Sequence, residues 1–438
     1  MMINKEIARR RMRSQRIAWV KERSPYDVVR RLGAVQAQEY TQALWAIGLR
    51  MRNGSVEEIE KAVADRRVVL TWAMRGTLHF VPAEDMEWMI RLLAPRVLAK
   101  DTRRLEQLNI DPRQMALCEK TIGDALKERK RITRPNLMKL LEDAGFATQN
   151  QRGYHVLWYL AQTGLLCLGP MEGKQQTFVL AEDWIRERKA LSKEESLREL
   201  AVRYFTGHGP ATLQDFAWWS GLTVAEARGG LESAHGVLTA EKIGGTEYWM
   251  GPEEAAGHAE DPVVSLLPGY DEYILGYKDR SAVLEPDCAP LIVRGSNGVL
   301  APMLVVDGRV AGTWTRTAKK SGVDIAIHPF AIQPLDASGI GEKQAVEAAR
   351  RYAEFVRLPL SQVQKRGGQK GLKSACPSPP PGSARRQLLP PKSHQRQRPR
   401  AKAGPSAIQH RFGADAGDDF AHDGGRGQGD PFRCSPSG

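Results

Sequence analysis

The chain has 438 residues, 42% hydrophobic and 26% charged, proportions that exclude a wholly disordered protein and a membrane-embedded one. No apolar run reaches the ~18 residues of a membrane span, and the Arg-rich start (Arg9, Arg10, Arg11, Arg13, Arg16) lacks the apolar stretch of a secretory signal, so a cytoplasmic protein is expected. The formal net charge of +13 invites an anionic partner, but residues 366–438 carry +8 of it and leave only +5 for residues 1–365. A nucleic-acid reading must therefore rest on local patches and chemistry.

In chain order, one unit recurs: a helical pattern, a turn, a second helix and a hairpin. In residues 1–110 the patterns Pro25–Leu32, Tyr40–Met51 and Val56–Ala64 read as helices, and Val69–Val81 reads as the hairpin. The clearest copy occupies residues 111–190. There Ile132-Thr133-Arg134-Pro135-Asn136 opens a helix with Leu137, Leu140 and Leu141 apolar, and Gly145 closes it. A second helix runs from about Gln151 to Gln162, and Leu165–Leu168 and Phe178–Leu180 flank a Gly-containing turn. In residues 191–255 one helix carries Phe216, Trp218 and Trp219 to Gly221, a second runs from Thr223 to Ser233, and Val237–Ile243 with Glu247–Met250 makes the hairpin. Helix, turn, helix, hairpin is the winged-helix order.

Residues 256–360 are strand-rich (Val263–Leu267, Leu291–Val293, Val299–Val306, Arg309–Trp314, Val323–Ile327) and end in a helical pattern from Glu342 to Leu358. The expected class is α+β: tandem winged-helix units, a small β-rich domain, and a disordered tail over 361–438. From Arg366 on, 10 Pro and 12 Gly occur with no Trp or Tyr, a composition that cannot build a core. The tail reads as a frame-changed or non-native terminus in preference to a basic grip on nucleic acid.

Chemistry-bearing motifs are few. Cys118, Cys167, Cys288, Cys376 and Cys434 show neither CxxC nor Cys/His spacing, so neither a disulfide framework nor a metal site is expected. Phosphate-loop, HExxH, zinc-deaminase and GxSxG patterns are missing, and nothing calls for a cofactor. On the first wing Thr71, Ala73, Arg75, Thr77 and His79 alternate with the apolar Trp72, Met74, Leu78 and Phe80. The polar set reads either as a merely solvated wing face or as a DNA-facing strip, with Arg75 on a phosphate and Thr77 or His79 on a sugar or water. In the middle unit Gln149, Gln151, Arg152 and His155 form a second polar face, on which Gln151 and Arg152 are expected to contact DNA. In the third unit, Glu226 and Glu232 against Arg228 make a poor face for phosphates. Asp271 and Glu272 read as a structural corner paired with Lys278 and Arg280.

The segment Leu32-Gly33-Ala34-Val35-Gln36-Ala37-Gln38-Glu39-Tyr40 resembles the Gln-aliphatic-Gln motif of the winged-helix DNA glycosylase family typified by AlkZ and, more distantly, YcaQ. Three further blocks, Thr71–Pro82, Leu267–Arg280 and Val306–Trp314, follow in the family's order, so the resemblance spans about residues 5–358. It implies three winged-helix units and a β domain folded into a concave DNA-binding surface, acting as a monomer on double-stranded DNA that contains N-alkylated purines. It also implies catalytic roles for Gln36 and Gln38. A purine alkylated at N7 or N3 is cationic and leaves readily, so the remaining task is placing water, which an amide with one acceptor and two donors can do. The alternative is a non-catalytic winged-helix regulator. In a helix, residues i and i+2 point about 200° apart. Gly33 offers the way out, since a helix stopping there leaves the Gln pair on extended chain, where i and i+2 share a face.

Overall fold

The computed structural model describes residues 5–252, 263–294, 299–330 and 342–366. It opens with α1 (Lys5–Ser14) and α2 (Pro25–Leu32). Ser24 caps α2 by accepting the Asp27 N–H, Pro25 occupies its first turn, and Gly33 at φ +78° ends it. Next come β1 (Val35–Gln36), α3 (Tyr40–Gly48), α4 (Val56–Ala64), β2 (Val68–Trp72), β3 (Leu78–Pro82), α5 (Met86–Leu98) and α6 (Thr102–Gln107). The second stretch holds α7 (Pro112–Arg129), β4 (Ile132–Thr133), α8 (Arg134–Asp143), α9 (Arg152–Gln162), β5 (Leu166–Leu168), β6 (Thr177–Leu180) and α10 (Ala181–Trp184). The third holds α11 (Lys193–His208), α12 (Leu213–Ser220), α13 (Val224–Glu232), β7 (Thr239–Ile243) and β8 (Thr246–Met250). In the last, β9 (Val264–Leu267), α14 (Glu272–Leu275), α15 (Ala289–Ile292), β10 (Val293–Arg294), β11 (Val299–Leu300), β12 (Met303–Val306), β13 (Arg309–Lys319) and β14 (Gly322–Pro329) precede α16 (Glu342–Phe355) and β15 (Leu360–Lys365).

The architecture is α+β, and helix, helix, hairpin occurs in that order in all three stretches. The first two wings are not separate. They merge into one six-stranded sheet, β1-β3-β2-β5-β6-β4, joined where Leu70 meets Leu168. That sheet is covered on both faces. Leu70, Trp72, Leu78 and Phe80 enter a core that also contains Leu137, Leu160 and Trp314, while Val69 and Val81 enter a second core with Tyr204, Phe205, Phe216 and Trp219. The boundaries expected at 110/111 and 255/256 therefore cut through continuous apolar packing, which no isolated wing of this size could supply.

The strand-rich stretch forms a five-stranded sheet, β15-β14-β13-β12-β9. The expectation that order ends at residue 361 is corrected here: β15 pairs parallel with β14 through Val323↔Leu360 and Ile325↔Val363. Its sequence, Leu-Ser-Gln-Val-Gln-Lys, is too polar to read as a strand. A half-exposed edge strand needs little more than backbone pairing. Residues 367–438, expected to be disordered, lie outside the described residues.

Candidate active site

Gly33 builds the site. Its φ of +78° turns the chain out of α2, and a Cβ there would lie 3.3 Å from the Trp219 ring, so the backbone bends against the indole from α12. The next residues run extended along the edge of the six-stranded sheet, Val35 opposite Phe80 and Gln36 opposite His79. Gln36 thus sits on extended chain and Gln38 in the bend that follows it, between the end of α2 and the start of α3. The Ala37 N–H donates to the Leu78 carbonyl at 2.7 Å, which pins the strand.

The two amides are held differently. The Gln38 carbonyl accepts the Leu78 N–H at 3.2 Å, which fixes that amide's orientation and directs its NH2 away from the strand. Gln38 is otherwise exposed. Gln36 is largely buried at 8% exposure, yet its side chain makes no hydrogen bond among the described residues, leaving both carbonyl and NH2 unengaged. Its backbone N–H points away from β3 and donates to Glu272 Oε1 at 3.2 Å.

Glu272 comes from the Pro268–Gly276 corner, where Asp271 caps α14 by accepting the Tyr273 N–H at 2.8 Å. The partners expected for this acidic pair, Lys278 and Arg280, are not the ones used. Asp271 makes a two-pronged ion pair with Arg50 (2.7 and 2.9 Å), both side chains fully buried, and Arg50 also donates to Gln15 Oε1 at 2.8 Å. Arg280 instead donates to the Ile274 carbonyl. Glu272 Oε2 faces the Trp219 indole N–H at 2.9 Å and His208 Nε2 at 3.3 Å. Burial pushes the Glu272 carboxyl up, but His208, His79 and the indole donor outweigh it and hold the pKa at about 2. These partners lie 64 and 53 residues upstream of Glu272, separations that no sequence pattern reveals.

The first wing departs from the expected exposed strip. Thr71 and His79 do share a face, as alternation requires, but the third winged-helix stretch covers that face and His79 is fully buried. Its Nδ1–H donates to the Thr77 carbonyl at 2.7 Å, so Nε2 carries a lone pair, buried without a partner. Burial, with Arg75 adding to it against the pull of Glu272, lowers the His79 pKa to about 4. Beyond Trp72 the alternation breaks, because Arg75 (φ +54°) and Gly76 (φ +71°) form a tight loop that turns Met74 into the second core. Thr77 closes this loop, its hydroxyl donating to the Met74 carbonyl at 3.0 Å. Arg75 is half-buried with Nη1 enclosed and unpartnered, packs against Gly221 at the end of α12, and lies within electrostatic reach of Glu272.

The structure therefore brings Gln36, Gln38, Arg75, Thr77 and His79 together on adjoining segments. Gln151 and Arg152 lie at the start of α9 and are engaged elsewhere. The Gln151 carbonyl accepts from Arg104 at 2.7 Å. The Arg152 guanidinium donates to the backbone carbonyls of Ala147, Leu108 and Asn109 and covers the Phe146 ring. A guanidinium so committed is tying the α6–α7 turn to α9, not offering donors to solvent. No group of three or more His, Cys, Asp or Glu among the described residues is placed to hold a metal.

The model of the DNA glycosylase AlkZ-like family matches residues 29–370. The interstrand DNA cross-link repair glycosylase of Streptomyces sahachiroi is 30% identical over 357 residues, 77% of this chain and 93% of that one. The solved structure of Streptomyces sahachiroi DNA glycosylase AlkZ matches with a TM-score of 0.67 and 27% identity, covering 84% of this chain and 100% of that chain. A winged-helix frame that matches these proteins over most of its length is that of a DNA repair glycosylase. The chain belongs to the AlkZ-like DNA glycosylase family.

Proposed function

We propose that the protein hydrolyses the N-glycosidic bond of purines alkylated at N7 or N3 in double-stranded DNA, with Gln36 and Gln38 placing the attacking water. The observation that carries this is that the chain leaves α2 at Gly33, so Gln36 on β1 and Gln38 in the bend just beyond it lie off any helix, both beside the start of β3. The open Gln36 carbonyl is the acceptor for the water, and the outward Gln38 NH2 is a donor to it or to the sugar. An amide is a weak base. The arrangement therefore acts on bases that already leave as cations and spares unmodified ones, whose departure needs a stronger acid or base.

The Streptomyces sahachiroi relative described as an interstrand DNA cross-link repair glycosylase supports extending the substrate class to cross-links through purine nitrogens. Such a lesion is also an N-alkylated cationic purine, and the same two amides serve it. The experiment is release of free base from a duplex carrying one 7-methylguanine, beside unhooking of a duplex cross-linked through N7 of two guanines. Release from either supports the reading. Release from neither, with the duplex still bound, returns the protein to a non-catalytic DNA-binding role.

A further inference from the structure

We propose that Glu272 is a positioning residue of this site: its carboxylate fixes the backbone of Gln36 and presents a buried negative charge to the sugar as the base departs. The proposal rests on the assignment of Gln36 to water placement. Three observations carry it. First, the carboxylate collects donors from three elements, the Gln36 N–H from β1, the Trp219 indole from α12 and the His208 imidazole from α11. Second, the mere structural task of an ion pair at this corner already belongs to its neighbour, since Asp271 and Arg50 lock each other in two hydrogen bonds. Glu272 has no Arg or Lys within ion-pair distance among the described residues, and Arg75, the guanidinium in electrostatic reach, makes no hydrogen bond to it. Third, Glu272 is 1% exposed, so its charge is little screened and already oriented before any substrate arrives.

The chemistry gives such a charge a use. In the ground state the positive charge of an alkylated purine sits on the base. As the C1′–N bond breaks, the bonding pair goes to the base, which becomes neutral, and the positive charge passes to the sugar as an oxocarbenium ion. Water then adds to C1′ through an oxygen lone pair and gives its surplus proton to bulk water. A carboxylate behind Gln36 favours the charge in its new location over the old one, which is the differential stabilisation that raises a rate. Holding the Gln36 N–H also sets where the Gln36 amide can reach.

Two duplexes containing sugar analogues test this, one with a cationic pyrrolidine in place of the deoxyribose and one with a neutral tetrahydrofuran. Wild type is expected to bind the pyrrolidine duplex more tightly. Glu272→Gln should lose that preference by on the order of 10- to 100-fold with the tetrahydrofuran duplex bound as before, and single-turnover release of 7-methylguanine at saturating protein should fall by a similar factor. Glu272→Asp, which keeps the charge, should recover part of the preference. A purely structural role would weaken both duplexes alike. If Glu272→Gln alone fails to fold, because its NH2 meets the indole N–H, pairing it with Trp219→Phe removes that clash and carries the same test, with Trp219→Phe alone as the control that keeps the preference. Wild type that excises but binds both analogues equally, or a charge-neutral variant that keeps the preference, overturns the role of Glu272 and leaves the glutamine pair standing. Wild type that does not excise overturns both.

Discussion

The two glutamines differ in how much of each amide is available, and that difference orders the effects of their removal. Gln36→Ala deletes the open carbonyl and should lower single-turnover base release by roughly 100-fold or more, with duplex affinity changed by no more than about threefold, because a water-placing group acts in the transition state. Gln38→Ala also exposes the Leu78 N–H, so it should lower the rate and cost about 1 kcal/mol of stability. Arg75→Ala should do the reverse: weaker binding, a nearly unchanged rate once bound, and a log–log salt dependence flatter by about one. Single-turnover assays at saturating protein, paired with binding isotherms at several salt concentrations, separate the three. Asp271 behaves differently again. Asp271→Asn leaves Arg50 buried with half a partner, and the expected loss is about 3 kcal/mol in denaturant unfolding. A drop in activity that follows the drop in stability identifies it as a structural carboxylate.

Among the elements, the short strand Val35–Gln36 depends on one backbone position. Gly33→Val meets two obstacles, a positive φ and a ring 3.3 Å away, and should destabilise the fold by roughly 1–3 kcal/mol. It should also slow excision more than Val35→Ala does, since it moves Gln36 relative to Glu272. A variant with unchanged melting temperature and rate would show that the turn tolerates a side chain. This turn was legible in the sequence. A glycine after an amphipathic helix marks its end, and a glutamine pair at i, i+2 can serve one site only off the helix. The capped helices α2, α4, α12 and α13 were legible for the same reason, because caps and apolar spacing are local. What was hidden is what covers each face. Alternation put Thr71 and His79 on one side of the wing, but could not say that α11 and α12 would bury it. Nor could it show that Arg50, 221 residues away, would answer Asp271. Glu272 was visible as an acidic residue, and only the arrival of β1 beside it makes it part of the site.

For the whole molecule, the buried ionisable groups at the junction of the sheet and the third winged-helix stretch predict how stability responds to acid. His79 has its folded pKa lowered from 6.5 to about 4, chiefly by burial, so the unfolded chain binds more protons than the folded one between those values. Above pH 6.5 the ring is neutral in both states and pH has no leverage through it, and stability falls as pH drops from 6.5 towards 4. One pKa unit is about 1.4 kcal/mol, so the loss is about 3 kcal/mol. Glu272, lowered from 4.5 to about 2, acts with the same sign in a lower window: its contribution is complete above pH 4.5 and disappears as pH falls towards 2. Both groups join the sheet edge to α11 and α12, so acid should loosen that junction first. The melting temperature should be level above pH 7 and then drop by roughly 3–5 °C by pH 4.5. His79→Gln removes the titrating ring and should flatten the fall between pH 6.5 and 4.5, leaving the fall below pH 4.5 in place. Thermal melts of both proteins across this range decide the matter. An unchanged fall in the variant places its origin in other groups and removes His79 from the account of acid sensitivity.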